Sequence, residues 1–330
     1  MATSPEPPEL LVLSASDIAE MDIDTVRLTE AVAAAFAKAE RREAAPAARL
    51  DVPMPGGAHF MAKAAILPET GYAAVKWLGI KRGPRPGSQP EFVPMVILND
   101  AWTGMPLAVM DAQRLTAMRT ASMTAVAARI LARPDSRTVG FIACGAQAHA
   151  HLDALAPFFP LKRVLASSRT SASAEYLVAR AGVLGMEGKA LQDPGAVIAQ
   201  ADIVVTSVPR TDPPVRFLDA TLLRKGSFVS MVDLGYSWTE DSLGRFGAHF
   251  ADWFQPGTRE PPDRLAHAGP WSGDLHSLLR DAGRWSGLGG WPRAFIFAGS
   301  GIADVAAAAL IYERALAHGL GRQRNRSDTG

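Results

Sequence analysis

Cysteine is nearly missing from this chain: Cys144 is the only one in 330 residues. Its solitude excludes an internal disulfide and any cysteine-based zinc cluster, and it points to a reducing compartment, so a cytoplasmic location is expected. Cys144 itself reads as a small buried apolar residue. An excess of either charge is missing too. Lys+Arg 34 against Asp+Glu 33 leaves a net charge of +1, with nothing to favour nucleic acid or an anionic membrane. Long apolar runs are also absent: the longest weakly polar stretch, 294–312, contains Gly299, Gly301 and Asp304 and suits a loop and helix better than a membrane span. Residues 1–9 carry Pro and Glu without a basic region or apolar core, so they do not read as a signal peptide. The histidines show no metal spacing. His149 and His151 are two apart and fall on different helix faces, so no metal is expected. No Ser-His-acid arrangement is legible, and a small molecule is the expected partner.

What is present is a globular composition, 48% hydrophobic and 20% charged, in a chain long enough for two domains. The rest is organised around 138–152, Thr-Val-Gly-Phe-Ile-Ala-Cys-Gly-Ala-Gln-Ala-His-Ala-His-Leu. An apolar β-rich run meets a small-residue turn and then a helix-compatible run. Such a turn lets backbone approach a pyrophosphate, whose charge sits on the open N–H groups of the helix N-terminus. The G-x-G-x-x-G/A fingerprint reads here as Ala143-x-Gly145-x-x-Ala148, one glycine short. An ordinary βα turn with no ligand is the competing reading.

Before this stretch, Ser16 and Asp17 are expected to cap a short helix, and 24–41 carries Val26, Leu28, Val32 and Phe36 at helical spacing. Short β-like runs follow at 49–52, 59–66, 72–80 and 92–99, a meander or barrel. The Pro- and Gly-rich segment 81–91 reads as an exposed loop. A turn at 102–106 and a strand at 107–110 lead into a long helical pattern over 111–132, expected to bridge two lobes. Strand and helix then alternate at 139–143, 147–155, 163–166, 172–180, 203–207 and 228–234, which predicts parallel strands with helical crossovers. A brief strand at 295–297 and a helix at 302–318 closed by Gly319 complete the chain, and 322–330 reads as a disordered basic tail.

In doubly wound sheets, ligands bind beyond the carboxyl ends of strands. The second strand of the motif ends at Ser167-Ser168-Arg169, where an NAD site would place an acid on the ribose. Two hydroxyls and a guanidinium suit a 2′-phosphate instead, so NADP(H) is favoured over NAD(H). Ser207 and Val208 end an apolar strand whose small tip lets a cofactor pass, and Val232 and Ala298 join the same cofactor set. Lys76 is a charge inside an apolar strand pattern: either a snorkelling lysine or a cation that holds a substrate carboxylate and hydrogen-bonds a reacting nitrogen. Arg49 and Arg119 invite the same comparison.

With these residues in view, the chain resembles the ornithine cyclodeaminase/mu-crystallin family over nearly its whole length. The markers are Val75-Lys76-Trp77, Ile97-Leu98-Asn99-Asp100 leading into Thr103-Gly104-x-Pro106-Leu107-Ala108-Val109-Met110-Asp111, and Leu115-Thr116-Ala117-Met118-Arg119-Thr120-Ala121. Further markers are 139–147, 201–206 and Gly299-x-Gly301-Ile302-Ala303-Asp304-Val305-Ala306. The resemblance implies a Rossmann-type doubly wound dinucleotide domain over 119–299, and an α+β substrate and dimerisation domain with a barrel-like sheet over 1–118 with 300–330. It implies a homodimer. It makes Arg49 and Lys76 substrate-carboxylate ligands, sets Arg119 and Thr120 on the cofactor phosphates, and makes Gly145, Ala146 and Gln147 the pyrophosphate turn.

Two departures bear on the reaction. The water-positioning Glu of cyclodeaminases is matched by Phe60, and their catalytic Asp by Gly235, with Asp233 two residues early and no Cys-Pro-Gly-Lys following. Ring closure with ammonia loss needs that acid–base pair. The expected activity is therefore NAD(P)H-dependent reduction of imines or ketimines of α-keto acids, or amino-acid dehydrogenation, including N-carboxyalkyl amino acids. Lys76 is the expected donor, with Asp233 or a water as alternative. An ornithine cyclodeaminase and a silent NADPH-binding protein like mu-crystallin are the rival readings.

Overall fold

The computed structural model describes residues 9–38, 50–55, 58–81, 91–211, 213–254, 261, 270–285 and 289–324. Arg49 and most of the loop expected at 81–91 lie outside them. The chain divides into two compact units, Met1–Arg119 with Ser300–Gly330, and Thr120–Gly299.

The first unit begins with β1 (Leu10–Leu13), α1 (Ala15–Glu20), α2 (Thr25–Lys38), β2 (Leu50–Pro53), β3 (Ala58–Leu67), β4 (Tyr72–Lys81), β5 (Phe92–Asp100) and β6 (Pro106–Asp111). Helix α3 (Gln113–Leu131) then carries the chain into the second unit. There the order is β7 (Thr138–Ile142), α4 (Ala146–Leu155), β8 (Arg163–Ser167), α5 (Ser171–Val183), β9 (Glu187–Ala190), α6 (Pro194–Ile198) and β10 (Ile203–Thr206). β11 (Phe228–Met231), α7 (Glu240–Leu243), β12 (Ala248–Ala251), β13 (Gly273–Asp274), α8 (Leu275–Arg280), α9 (Ala282–Trp285) and β14 (Arg293–Ile296) follow. The chain returns to the first unit with α10 (Gly301–His318) and β15 (Arg322–Arg324).

The first unit is built on one seven-stranded sheet in the order β15-β1-β6-β5-β4-β3-β2, with an antiparallel meander from β2 to β6. Alternation along the strands sorts the two faces. β4 buries Ala74, Lys76 and Ile80 and exposes Trp77, while β5 buries Val96 and Leu98 and exposes Met95 and Ile97. Helix α10 covers the inner face, packing on β3, β4 and α2. Its alanines let it lie close, and its first residue allows no side chain: a Cβ on Gly301 would stand 2.7 Å from the Ala64 carbonyl oxygen. Gly319, at φ 63, ends the helix in the left-handed cap that glycine favours.

Two expectations are corrected here. The cap of α1 is Ser14, not Ser16: Ser14 Oγ accepts from Asp17 N while Asp17 reaches back to Ser14 N, a capping box. The segment expected as a disordered tail contributes β15, antiparallel to β1. Pairing there asks only for backbone groups, which the open edge of β1 supplies.

The second unit holds a parallel sheet of eight strands, β13-β12-β14-β11-β10-β7-β8-β9. Read from β9, the first five strands follow the Rossmann order 3-2-1-4-5, the unit's last strand, β14, stands next, with β12 and β13 beyond it, and the order reverses between β7 and β10. All five residues of β7 are buried, as a central parallel strand requires. The strand expected over 228–234 stops at Met231. Leu234 (φ 60) and Gly235 (φ 78) take left-handed conformations that no strand accepts, so an apolar-looking run ends in a turn. Among the described residues, no helix is long and apolar enough to cross a membrane.

Candidate functional site

In the first unit, β4 directs Lys76 inward beneath the first turn of α10, where Asp304 meets it. Lys76 Nζ and Asp304 Oδ1 are 2.9 Å apart, with side chains 3% and 2% exposed. Arg119 Nε, from α3, lies 2.9 Å from the same oxygen. Burial pushes the Lys76 ammonium down from its ordinary 10.5 to about 7; the charge of Arg119 and, more weakly, that of Lys63 act with burial, and Asp304 pulls back. At neutral pH both forms of Lys76 are therefore populated. Asp304 Oδ2 is buried without a partner among the described residues. Two expected residues, Lys76 and Arg119, are brought together by a third that sequence reading passed over.

In the second unit, the expected cofactor residues gather at the carboxyl ends of neighbouring strands. The turn after β7 lies between the tips of β8 and β10: Ala143 N donates to the Ser167 carbonyl at 2.8 Å, and Ser207 Oγ to the Ala143 carbonyl at 3.3 Å. Val232 N donates to the Thr206 carbonyl, and Ala298 N to Asp252 Oδ1, at the next two tips. Ser168 is half-buried, and Arg169 is exposed with no ion pair among the described residues. Cys144 is buried, and burial pushes its thiol up to about 12, in keeping with an inert packing role.

Whether this edge fits a dinucleotide can be tested on Gly145. It is the N-cap of α4 at φ −87, ψ −161, and it makes no side-chain cap bond. Any residue adopts that conformation, and an added Cβ would meet nothing within 4 Å. Glycine here serves neither backbone nor packing; it leaves an open cradle over the N–H groups of α4. Gln147 adds a buried Oε1 without a donor among the described residues. A pyrophosphate with its ribose hydroxyls supplies what both lack. Ala143 shows what the missing glycine costs: it sits at φ 68, where a side chain is strained by roughly 1–2 kcal/mol. Ala143→Gly is expected to stabilise the chain by about 0.5–1 kcal/mol after the entropy of the unfolded glycine is offset, a shift readable in denaturant unfolding.

Asp233 is buried, and its carboxylate accepts from Thr206 Oγ1 (2.9 Å), Ser237 Oγ (2.6 Å) and Gly235 N (3.2 Å). Burial raises its pKa, while these bonds and one from the Val208 backbone lower it, and the group ties the tips of β10 and β11 together. Phe60 stands on the outer face of the sheet, stacked on Trp77 at 5.3 Å, on the side opposite to Lys76. Thr120 is buried on α3.

A polar chain that no local pattern announces lies beneath α4. His151 Nδ1 is 2.7 Å from the Gln147 carbonyl, Nε2 is 2.9 Å from Thr124 Oγ1, and Thr124 Oγ1 is 2.7 Å from Ser230 Oγ. The carbonyl accepts, so Nδ1 carries the proton and Nε2 accepts from Thr124. Burial drives His151 down to about 4, so it stays neutral and fixes the first turn of the helix. Among the described residues, no group of three His, Cys, Asp or Glu is placed to hold a metal.

The model of the ornithine cyclodeaminase/mu-crystallin family matches residues 9–235. Alanine dehydrogenase of Archaeoglobus fulgidus is 29% identical over 260 residues, which cover 76% of this chain and 79% of that protein. Other curated relatives are matched over 56%, 37% and 42% of their length. Among solved structures, the Thermococcus litoralis Delta(1)-pyrroline-2-carboxylate reductase in complex with NADH and L-proline superposes with a TM-score of 0.84 at 23% identity, covering 94% of this chain and 99% of that one. An archaeal alanine dehydrogenase dimer with bound NAD gives 0.83 at 24% identity, covering 96% and 99%. At these identities the two structures show a shared fold.

Proposed function

The chain belongs to the ornithine cyclodeaminase/mu-crystallin family, and from that premise we propose an NAD(P)H-dependent oxidoreductase of C–N bonds that reduces ketimines of α-keto acids to amino acids, N-carboxyalkyl amino acids included. The observation that carries the reading is the buried Lys76, held by Asp304, with its pKa pushed down to about 7. As an ammonium it grips the substrate carboxylate, a role Arg49 is proposed to share. With its pKa near the working pH it can also release a proton toward the substrate nitrogen as the C=N bond is reduced. Asp233, fully engaged as an acceptor, is the poorer donor.

A bound nicotinamide dinucleotide supplies the hydride. Gly145, Ala146 and Gln147 are proposed to hold its pyrophosphate, Arg119 and Thr120 to meet its phosphates, and Ser207, Val208, Val232 and Ala298 to floor its path. Ser167, Ser168 and the exposed Arg169 favour NADP(H). Arg169→Ala is expected to weaken NADPH about tenfold and leave NADH unchanged in fluorescence titrations.

A homodimer through the outer sheet face completes the proposal. Leu50, Trp77 and Met95 lie in one cross-strand row with Ala62, and all three are exposed, as are Val52, Val93 and Ile97. A contiguous apolar face of this kind supports an interface here, as does the archaeal alanine dehydrogenase dimer of the same fold. Sedimentation equilibrium should give a dimer for the native chain and a monomer for Trp77→Glu.

The deciding assay mixes keto acids with amines and follows NADPH absorbance. Consumption that needs both partners, with no ammonia or proline from ornithine, is the expected result. Ammonia and proline from ornithine would make the protein a cyclodeaminase. NADPH bound but never oxidised would make it a silent binder.

A further inference from the structure

The cluster of Lys76, Arg119 and Asp304 does not balance its own donors and acceptors. Asp304 Oδ1 accepts a hydrogen bond from Lys76 and lies in ion-pair range of Arg119 Nε, which is buried without a hydrogen-bond partner among the described residues, whereas Oδ2 is buried and has no donor among them. Lys76 uses one of its three N–H groups on Asp304 and makes no other bond among the described residues. The cluster is thus short of an anion beside its two cations and of a donor at Oδ2. The complement is a molecule bearing a carboxylate next to a nitrogen that still has a hydrogen. A 2-oxo acid answers only half of this, because its carbonyl oxygen would set an acceptor against an acceptor.

We propose that Asp304 reads the substrate nitrogen, its Oδ2 accepting an N–H from a protonated ketimine or an α-ammonium group while Lys76 holds the adjoining carboxylate. The substrate is then selected as a nitrogen compound before any reduction occurs, and 2-oxo acids and other carboxylates without nitrogen are discriminated against. This rests on the reading above that the cluster in the first unit is the substrate site.

The test is equilibrium binding of matched probes to the full chain with saturating NADP+: L-proline against cyclopentanecarboxylate, and L-alanine against propionate. A charge-assisted bond to a buried carboxylate predicts that the native protein prefers the nitrogen member by roughly 10- to 100-fold. Asp304→Asn should erase that preference, the ratio between the two members falling to near one, while any loss of Lys76 charge weakens both members alike. Should Asp304→Asn fail to fold, Asp304→Glu keeps the carboxylate and should keep the preference in weakened form. Equal binding of both members by the native protein, as expected if Oδ2 holds only a water, overturns the inference without any variant. An undiminished preference in Asp304→Asn overturns it too. If ketimine reduction is present and the preference absent, the inference falls and the function stands. If the preference depends on Asp304 but no NADPH is ever oxidised, the function falls and the role of Asp304 stands.

Discussion

Lys76→Met is expected to lower kcat/KM for ketimine reduction by about 10²- to 10³-fold while leaving the fold as stable as before or more so. The two effects have opposite signs for one reason. The ammonium is buried among Arg119, Lys63 and a single carboxylate, and its proton is held so weakly that its pKa falls to about 7. Methionine matches its length, needs no solvation, and leaves Asp304 paired with Arg119. A substrate carboxylate, by contrast, loses a charged partner in a dry place, worth roughly 3–4 kcal/mol. The pH dependence separates these contributions. Between about 7 and 10.5 the unfolded chain keeps the lysine proton that the folded chain has released, so stability rises with pH across that window. Over the same rise, kcat/KM should fall as the free protein loses the charge that grips the substrate. The variant should show neither slope. A Lys76→Met protein that reduces ketimines at the native rate would remove the substrate site from this cluster.

Gly145→Asp should weaken dinucleotide binding by about 10³-fold or more and raise the melting temperature slightly. Gly145 is an N-cap without a cap bond, in extended backbone with open space at Cβ, so an aspartate fits without strain. Its carboxylate would bond the first N–H groups of α4 and meet the positive end of the helix dipole, contributing about 0.5–1 kcal/mol. Those are the groups a pyrophosphate needs, and a like charge in their place repels it. Fluorescence titration with NADPH and a thermal melt check both halves. Intact binding with an aspartate at this position would show that the dinucleotide does not lie on the turn after β7.

The elements that were legible in the chain are those whose side chains carry their own pattern. The meander showed because strands alternate between turn residues, and α10 because an alanine run ends in a glycine that the left-handed cap requires. What escaped was held by distant backbone or by single bonds. β15 has no apolar alternation and exists because β1 offers an edge. β9, Glu187–Ala190, is a mostly exposed edge strand that a propensity reading passes over. Lys76 stood out as a charge in an apolar strand. Asp304 did not, since an acid in the first turn of a helix is what the dipole favours anywhere, and its partner lies 228 residues earlier. The spacing of His149 and His151 speaks against a shared metal, but the bond of His151 to Thr124, 27 residues away, and its neutral ring have no local signal.

The most direct test uses NADPH carrying deuterium at the transferable position of nicotinamide C4, incubated with the protein, an α-keto acid and an amine. The account predicts one deuterium on the α-carbon of the amino acid formed for each nucleotide oxidised. An amino acid formed without the label, or nucleotide that stays reduced while product accumulates, would contradict it.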